Sequence, residues 1–164
     1  MERLWAPWRL EYIVRAKPGG CIFCDKPLAG DDRASQIVWR GTHAYVLLNA
    51  FPYNNGHVMI APFAHLANLE DLPSETIHEM MDLTQLATRA MKRALHPEGL
   101  NVGFNLGAAA GAGIKDHLHL HMVPRWSGDT NFMPVIADTR VIPQSLERSW
   151  ELLTEAFAEV ATEH

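Results

Sequence analysis

The chain has 164 residues, 48% of them hydrophobic and 20% charged, which suits one compact domain with its own core and is short for two. A net charge of −5 excludes a broad basic surface for nucleic acid or an anionic membrane, so an anionic ligand must be met by a few donors in a cleft. No run reaches the roughly 18 consecutive apolar residues of a spanning helix, and the opening MERLWAPWRLEYI lacks the apolar stretch and small-residue cleavage site of a signal peptide, so a cytoplasmic protein is expected.

In chain order, the first feature is aromatic: Trp5, Trp8 and Tyr12 recur at threes and fours, with Pro7 interrupting any helix that starts before it. They are expected to pack across the domain or a dimer seam, a base-stacking wall being the alternative. The chain's two cysteines, Cys21 and Cys24, come next. Their spacing suits half a zinc site, a redox pair or two buried thiols better than a structural disulfide in a reducing compartment. QIVWR (36–40), AYVLLNA (44–50) and GHVMIAP (56–62) are short, rich in β-formers and bounded by turn residues, and read as strands. From Ser74 as cap, Ile77, Met80, Met81, Thr84, Ala87, Met91 and Leu95 recur at threes and fours until Pro97, which predicts an amphipathic helix. LNVGFNL (100–106) and DHLHLHMVP (116–124) supply a fourth and a fifth strand, with the small-residue loop NLGAAAGAGIKD (105–116) between them. The stretch 127–143 has no clear period and is expected to wrap the domain or meet a partner subunit. A last helix is expected from about Gln144 to Thr162, on the spacing of Leu146, Trp150, Leu153, Phe157 and Val160. Tight strand connections with helices set apart in sequence predict an α+β fold on an antiparallel sheet. His43, His78, His96 and His164 read as surface or helix-end residues.

The chemistry concentrates in the fifth strand. Side chains alternate faces there, so His117, His119 and His121 line one side while Leu118, Leu120 and Met122 bury on the other. A lone histidine beside an apolar strand is ordinarily structural, but three in strict alternation without partners would each forfeit about 1–3 kcal/mol of hydrogen bonding. Two readings remain. The strand either presents a catalytic metal through its imidazoles or offers the middle histidine as a nucleophile toward phosphorus, with its neighbours orienting it and holding phosphate oxygens. The only carboxylates close in sequence are Asp116, which faces the other way, and Asp129. The glycine-rich loop running straight into the strand favours the second reading, because its backbone N–H groups can approach phosphate closely.

His117-Leu118-His119-Leu120-His121-Met122-Val123, followed by Pro124 and Arg125, resembles the signature of the histidine triad (HIT) family. The likeness extends over LLNAFPYNNGHVMIAPFAHLANL (47–69), so that residues 21–126 are similar to the family's core. LWAPWRLEYI (4–13), CIFC (21–24) and RWSGDTNFMPV (125–135) look most like the bacterial branch that includes diadenosine tetraphosphate phosphorylases. The resemblance implies a five-stranded antiparallel half-barrel with one long central helix and a C-terminal helix. It also implies a single HIT domain over 1–164, made of an aromatic segment (1–20), the core (21–126) and a C-terminal extension (127–164).

It further implies a nucleotidyl hydrolase or transferase that cleaves a dinucleoside polyphosphate or related adenylyl substrate at the α-phosphorus. His119 would be the nucleophile and His121 the group that contacts phosphate and assists the leaving group. Water or inorganic phosphate would release the nucleotide. Asn49 corresponds to a residue that hydrogen-bonds the ribose, and His57 to one that buttresses the active face, a surface loop histidine being its alternative. Asn105 stands where relatives place an amide near the scissile phosphates. The chain departs from the family at Gly113, where relatives often carry a hydroxyl, which leaves the backbone N–H groups of Ala112 and Gly113 to serve. Bacterial members complete a structural zinc site from residues matching Cys21, Cys24, His65 and His117, and members form homodimers. An adenosine phosphoramidase, a non-catalytic nucleotide-binding protein and a metal-dependent hydrolase using the three histidines as ligands are the alternatives.

Overall fold

The computed structural model describes residues 20–129 and 144–163. Trp5, Trp8 and Tyr12, most of the 127–143 stretch and His164 lie outside them. Five strands form one antiparallel sheet in the order β1-β2-β3-β5-β4: β1 (Ile37–Arg40), β2 (Ala44–Leu48), β3 (Val58–Pro62), β4 (Gly99–Phe104) and β5 (Leu120–Arg125). Four helices accompany it: α1 (Ile22–Leu28), α2 (Asp32–Ser35), α3 (Ser74–Leu95) and α4 (Leu146–Thr162). The α+β expectation holds, with each of the five strands close to its place in the sequence reading. Among the described residues no helix is long and apolar enough to cross a membrane.

Both faces of the sheet are covered, which explains why β2 and β3 are buried at every position instead of alternating. On one face Val46, Leu48, Ile60, Leu118, Leu120 and Met122 pack with Met80, Ala87 and Met91 of α3 and with Leu153 and Phe157 of α4. On the other, Ile37, Tyr45, Leu47, Met59 and Ala61 form a smaller cluster closed by Phe23 of α1. The triad histidines share that second face, since Met59 pairs with His121 across β3 and β5.

Three sequence expectations shift. Ser74 is the first helical residue and not the cap: Pro73 takes that position, and its carbonyl accepts the N–H groups of Thr76 and Ile77. At α4 the cap is Ser145, whose hydroxyl accepts the Arg148 N–H, so the helix starts at Leu146 rather than Gln144. The ladder of β5 starts at Leu120, not at Asp116, because β3 and β4 both finish their pairing there. Upstream, the Leu118 N–H turns instead to the Leu66 carbonyl at 2.7 Å, so His117 and His119 stand just beyond the end of the sheet. Helices α1 and α2 were not foreseen: α1 has seven residues with Pro27 inside, too short for a period to show and marked by a helix breaker.

The β1–β2 turn is fastened from outside. Glu79, on α3, accepts the backbone N–H groups of Thr42, His43 and Ala44. Burial pulls its carboxyl upward, but the three backbone donors win and hold it below the usual carboxylate range. A depressed folded-state pKa stabilises above the unfolded value of 4.5 and fades as pH falls through the folded one. Glu79→Ala should therefore cost about 1–2 kcal/mol near neutral pH, a figure held down by the carboxylate's partial exposure. Urea unfolding should show that deficit shrinking in acid; a deficit independent of pH would refute the anchoring.

Candidate active site

The tautomers of His117 and His119 are set by backbone carbonyls, and that of His121 by a neighbouring imidazole. His117 is fully buried, and its Nε2–H donates to the Pro62 carbonyl at 2.9 Å, leaving Nδ1 unprotonated. The Nδ1–H of His119 donates to the carbonyl of His117, also at 2.9 Å, so the lone pair of His119 lies on Nε2. His119 is 6% exposed, packed beneath the Phe23 ring at 4.6 Å and edge-on to His121 at 4.8 Å. Burial lowers its pKa, partly opposed by that hydrogen bond, and keeps the ring neutral.

A short relay fixes His121. The backbone N–H of Tyr53 donates to His57 Nδ1 at 3.0 Å, which places the His57 proton on Nε2. That nitrogen lies 3.0 Å from His121 Nδ1 and donates to it, so His121 carries its own proton on Nε2. Burial first, and then the neighbouring imidazoles, bring His57 down to about 3 and His121 to about 4. His57 is thus a buried supporting residue and not a surface loop histidine. Asn49 faces the same ring, its amide nitrogen 3.4 Å from His57 Nδ1, while its oxygen accepts the Phe51 N–H. Both ends of the amide are engaged in shaping the loop between β2 and β3.

A cavity of about 560 Å³ opens beside His121, lined by Tyr53, Asn101, Gly103, Asn105 and Arg125 among others. Of the expected site residues, His121 and Asn105 reach it, whereas His119, Asn49, His57, Ala112 and Gly113 do not line it. The loop after β4 folds into a 3₁₀ turn, Ala108–Ala110, bracketed by Gly107 and Gly111 in the left-handed region. Its turn already uses the Ala112 N–H, which bonds the Gly107 carbonyl at 3.3 Å, so of the two backbone donors expected to meet phosphate only Gly113 has no such bond among the described residues. The alternate residues Asn101 and Gly103, together with Arg125, were missed; the signal was their shared face with the triad across the β4–β5 ladder.

On the far side of His117 lies a second cluster. Its Nδ1 is 3.3 Å from Cys21 Sγ, 3.6 Å from Cys24 Sγ and 3.3 Å from His65 Nδ1, and Cys24 Sγ is 3.4 Å from His65 Nδ1. A tetrahedron with zinc–sulfur bonds of about 2.3 Å and zinc–nitrogen bonds of about 2.05 Å has edges of about 3.3–3.8 Å, which these separations match. Burial, then the hydrogen bond and charge of Cys21, then Asp25, push the Cys24 thiol to about 11, so a thiolate there needs a cation beside it. The donor set fits a closed Cys2His2 site. Among the described residues His119 and His121 join no such cluster, which removes the geometry that the three-histidine metal alternative requires.

Alternating imidazoles beside a glycine-rich turn, on a five-stranded antiparallel sheet, define a histidine triad protein, and the HIT domain model matches residues 31–128. The chain belongs to the HIT family. It is 39% identical over 166 residues to AP-4-A phosphorylase of Mycobacterium tuberculosis, covering 96% of this chain and 85% of that protein. Among solved structures it is similar to a Zn-bound histidine triad family protein from Mycobacterium smegmatis, at 28% identity and a TM-score of 0.71, covering 88% and 98% of the two chains. Plasmodium falciparum diadenosine triphosphate hydrolase shares the fold at 19% identity and a TM-score of 0.62, with 81% and 80% covered.

The relay makes a spectroscopic prediction. Long-range proton–nitrogen spectra should show His57 and His121 as neutral Nε2–H tautomers from about pH 8 to about pH 5. A His121 ring that titrates near its ordinary value would show that the relay does not hold in solution.

Proposed function

We propose that the chain transfers a nucleotidyl group from a dinucleoside polyphosphate, such as diadenosine tetraphosphate, to inorganic phosphate through His119. The observation that carries this reading is the hydrogen bond from His119 Nδ1–H to the His117 carbonyl, which leaves a neutral ring with its lone pair on Nε2. That lone pair attacks the α-phosphorus and the P–O bond to the polyphosphate breaks, so ATP departs. Positive charge developing on the imidazole is drawn toward the His117 carbonyl, and the departing oxygen is met by His121 Nε2–H. An oxygen of inorganic phosphate then attacks phosphorus, the P–N bond breaks, its electron pair returns to Nε2, and ADP is formed. The 39% identity to a protein named a phosphorylase supports phosphate as acceptor over water.

Asn105 at the cavity and the Gly113 N–H serve as phosphate donors in this scheme, while Asn49 and His57 hold the loop that carries Tyr53. Cys21, Cys24, His65 and His117 would hold zinc, which supplies a closed tetrahedral cross-link and no chemistry of its own. His117 then acts through position, not contact with substrate. The second copy of a homodimer is expected along β4, the edge strand, where Val102 is 48% exposed. A reducing, cytoplasmic setting suits the paired thiols.

Incubation with diadenosine tetraphosphate should yield ADP and ATP with phosphate present, and His119→Asn should lower kcat by about 10⁴-fold. AMP with ATP formed equally well without phosphate would turn the reading to hydrolysis, and full activity of His119→Asn would end it. For the cluster, metal analysis should find zinc in the purified chain, and Cys24→Ser should remove it and lower the unfolding temperature. A variant as stable as the parent would argue against the cross-link.

A further inference from the structure

We propose that the cavity over Gly103 is a subsite for the group that His119 displaces from the α-phosphorus, the nucleoside polyphosphate half of the substrate. This rests on the nucleotidyl-transfer reading above. Gly103 is paired with His121 across the β4–β5 ladder, and a Cβ placed at Gly103 meets nothing within 4 Å. Glycine weakens a strand, and its use where the protein itself leaves room marks a place where something else approaches the backbone. Asn101 on β4 and Asn105, just past the strand's end, lie two residues to either side and both line the cavity, so two amides flank an open floor.

The polar groups around that floor are donors. Asn101 Oδ1 accepts from Arg125 Nη1 at 2.9 Å, which leaves the amide N–H pair for a ligand. Asp129, the one carboxylate of the lining among the described residues, is held by Arg125 at 2.6 and 3.0 Å, by Asn54 at 2.8 Å and by the Trp126 N–H at 3.2 Å. Its charge is neutralised and its lone pairs are occupied, so it does not repel an anion. At the inner end stands His121, whose Nε2 proton follows from the relay. At the mouth the Tyr53 ring stacks against His121 with centroids 6.0 Å apart. The volume, about 560 Å³, lies within the range of nucleotide-sized clefts. Donors without an exposed carboxylate, beside the proton that meets the departing oxygen, select phosphate oxygens.

Gly103→Val tests this directly, because open space and strand propensity let the fold accept the side chain. The full chain is assayed for diadenosine tetraphosphate turnover, for AMP binding by calorimetry and for mass by light scattering. The expected result is a drop in kcat/KM of roughly tenfold or more with AMP affinity and mass unchanged. Asn101→Asp, which keeps an acceptor for Arg125 and adds a negative charge to the floor, should lower kcat/KM in the same direction. Unchanged kcat/KM in Gly103→Val, an equal loss of AMP affinity, or a change in mass would each overturn the subsite, the last by showing that the cavity seats another subunit. Failure of the wild-type chain to turn over the substrate would instead sink the reading beneath it.

Discussion

The hydrogen bond between the His119 imidazole and the carbonyl of His117 is the constraint on which the rest of the site depends. It is local, between residues two apart in sequence, just beyond the end of the sheet. It also ties two sites together. The same residue, His117, offers its carbonyl to the neighbouring ring, its Nε2 proton to Pro62 and its Nδ1 to the cysteine and histidine cluster. Any displacement of that residue reaches all three, so the cluster and the proposed nucleophile share one anchor without sharing any chemistry.

Much of this was legible in the order of residues. Strict alternation from His117 to Met122 fixed which side chains share a face, and the helical spacing from Ile77 to Leu95 located the long helix. The ligand set Cys21, Cys24, His65 and His117, which the family resemblance implied, does converge in space. What escaped notice is equally physical. Phe23, in a helix too short for periodicity, covers the middle histidine. Whether Ala112 could offer its N–H depended on a turn closed by Gly107, and turn closure is not written in composition. The continuous burial of β2 and β3 likewise depended on a second cover, α1, that pattern alone did not reveal.

The site also shows how a neutral pair of histidines can be given opposite jobs. Burial keeps both rings uncharged, and what separates them is the group each meets through Nδ1. For His119 that partner is an acceptor, so the outer nitrogen is a base. For His121 it is a donor, the far end of a chain that begins at the Tyr53 backbone, so the outer nitrogen carries a proton. Identical side chains two residues apart are thereby differentiated by a carbonyl on one side and an amide on the other.

Phe23 adds a temporal dimension. Its carbonyl is bound by the Tyr45 hydroxyl at 2.7 Å, which holds the aromatic ring in place over His119. In the proposed reaction a nucleotide linked to that nitrogen would sit in a dry enclosure, where bulk solvent competes poorly. In that scheme the lifetime of such a linkage would turn on admission of the acceptor rather than on the abundance of water, and Phe23, with its ring 4.6 Å from that of His119, would be the cover that sets the partition.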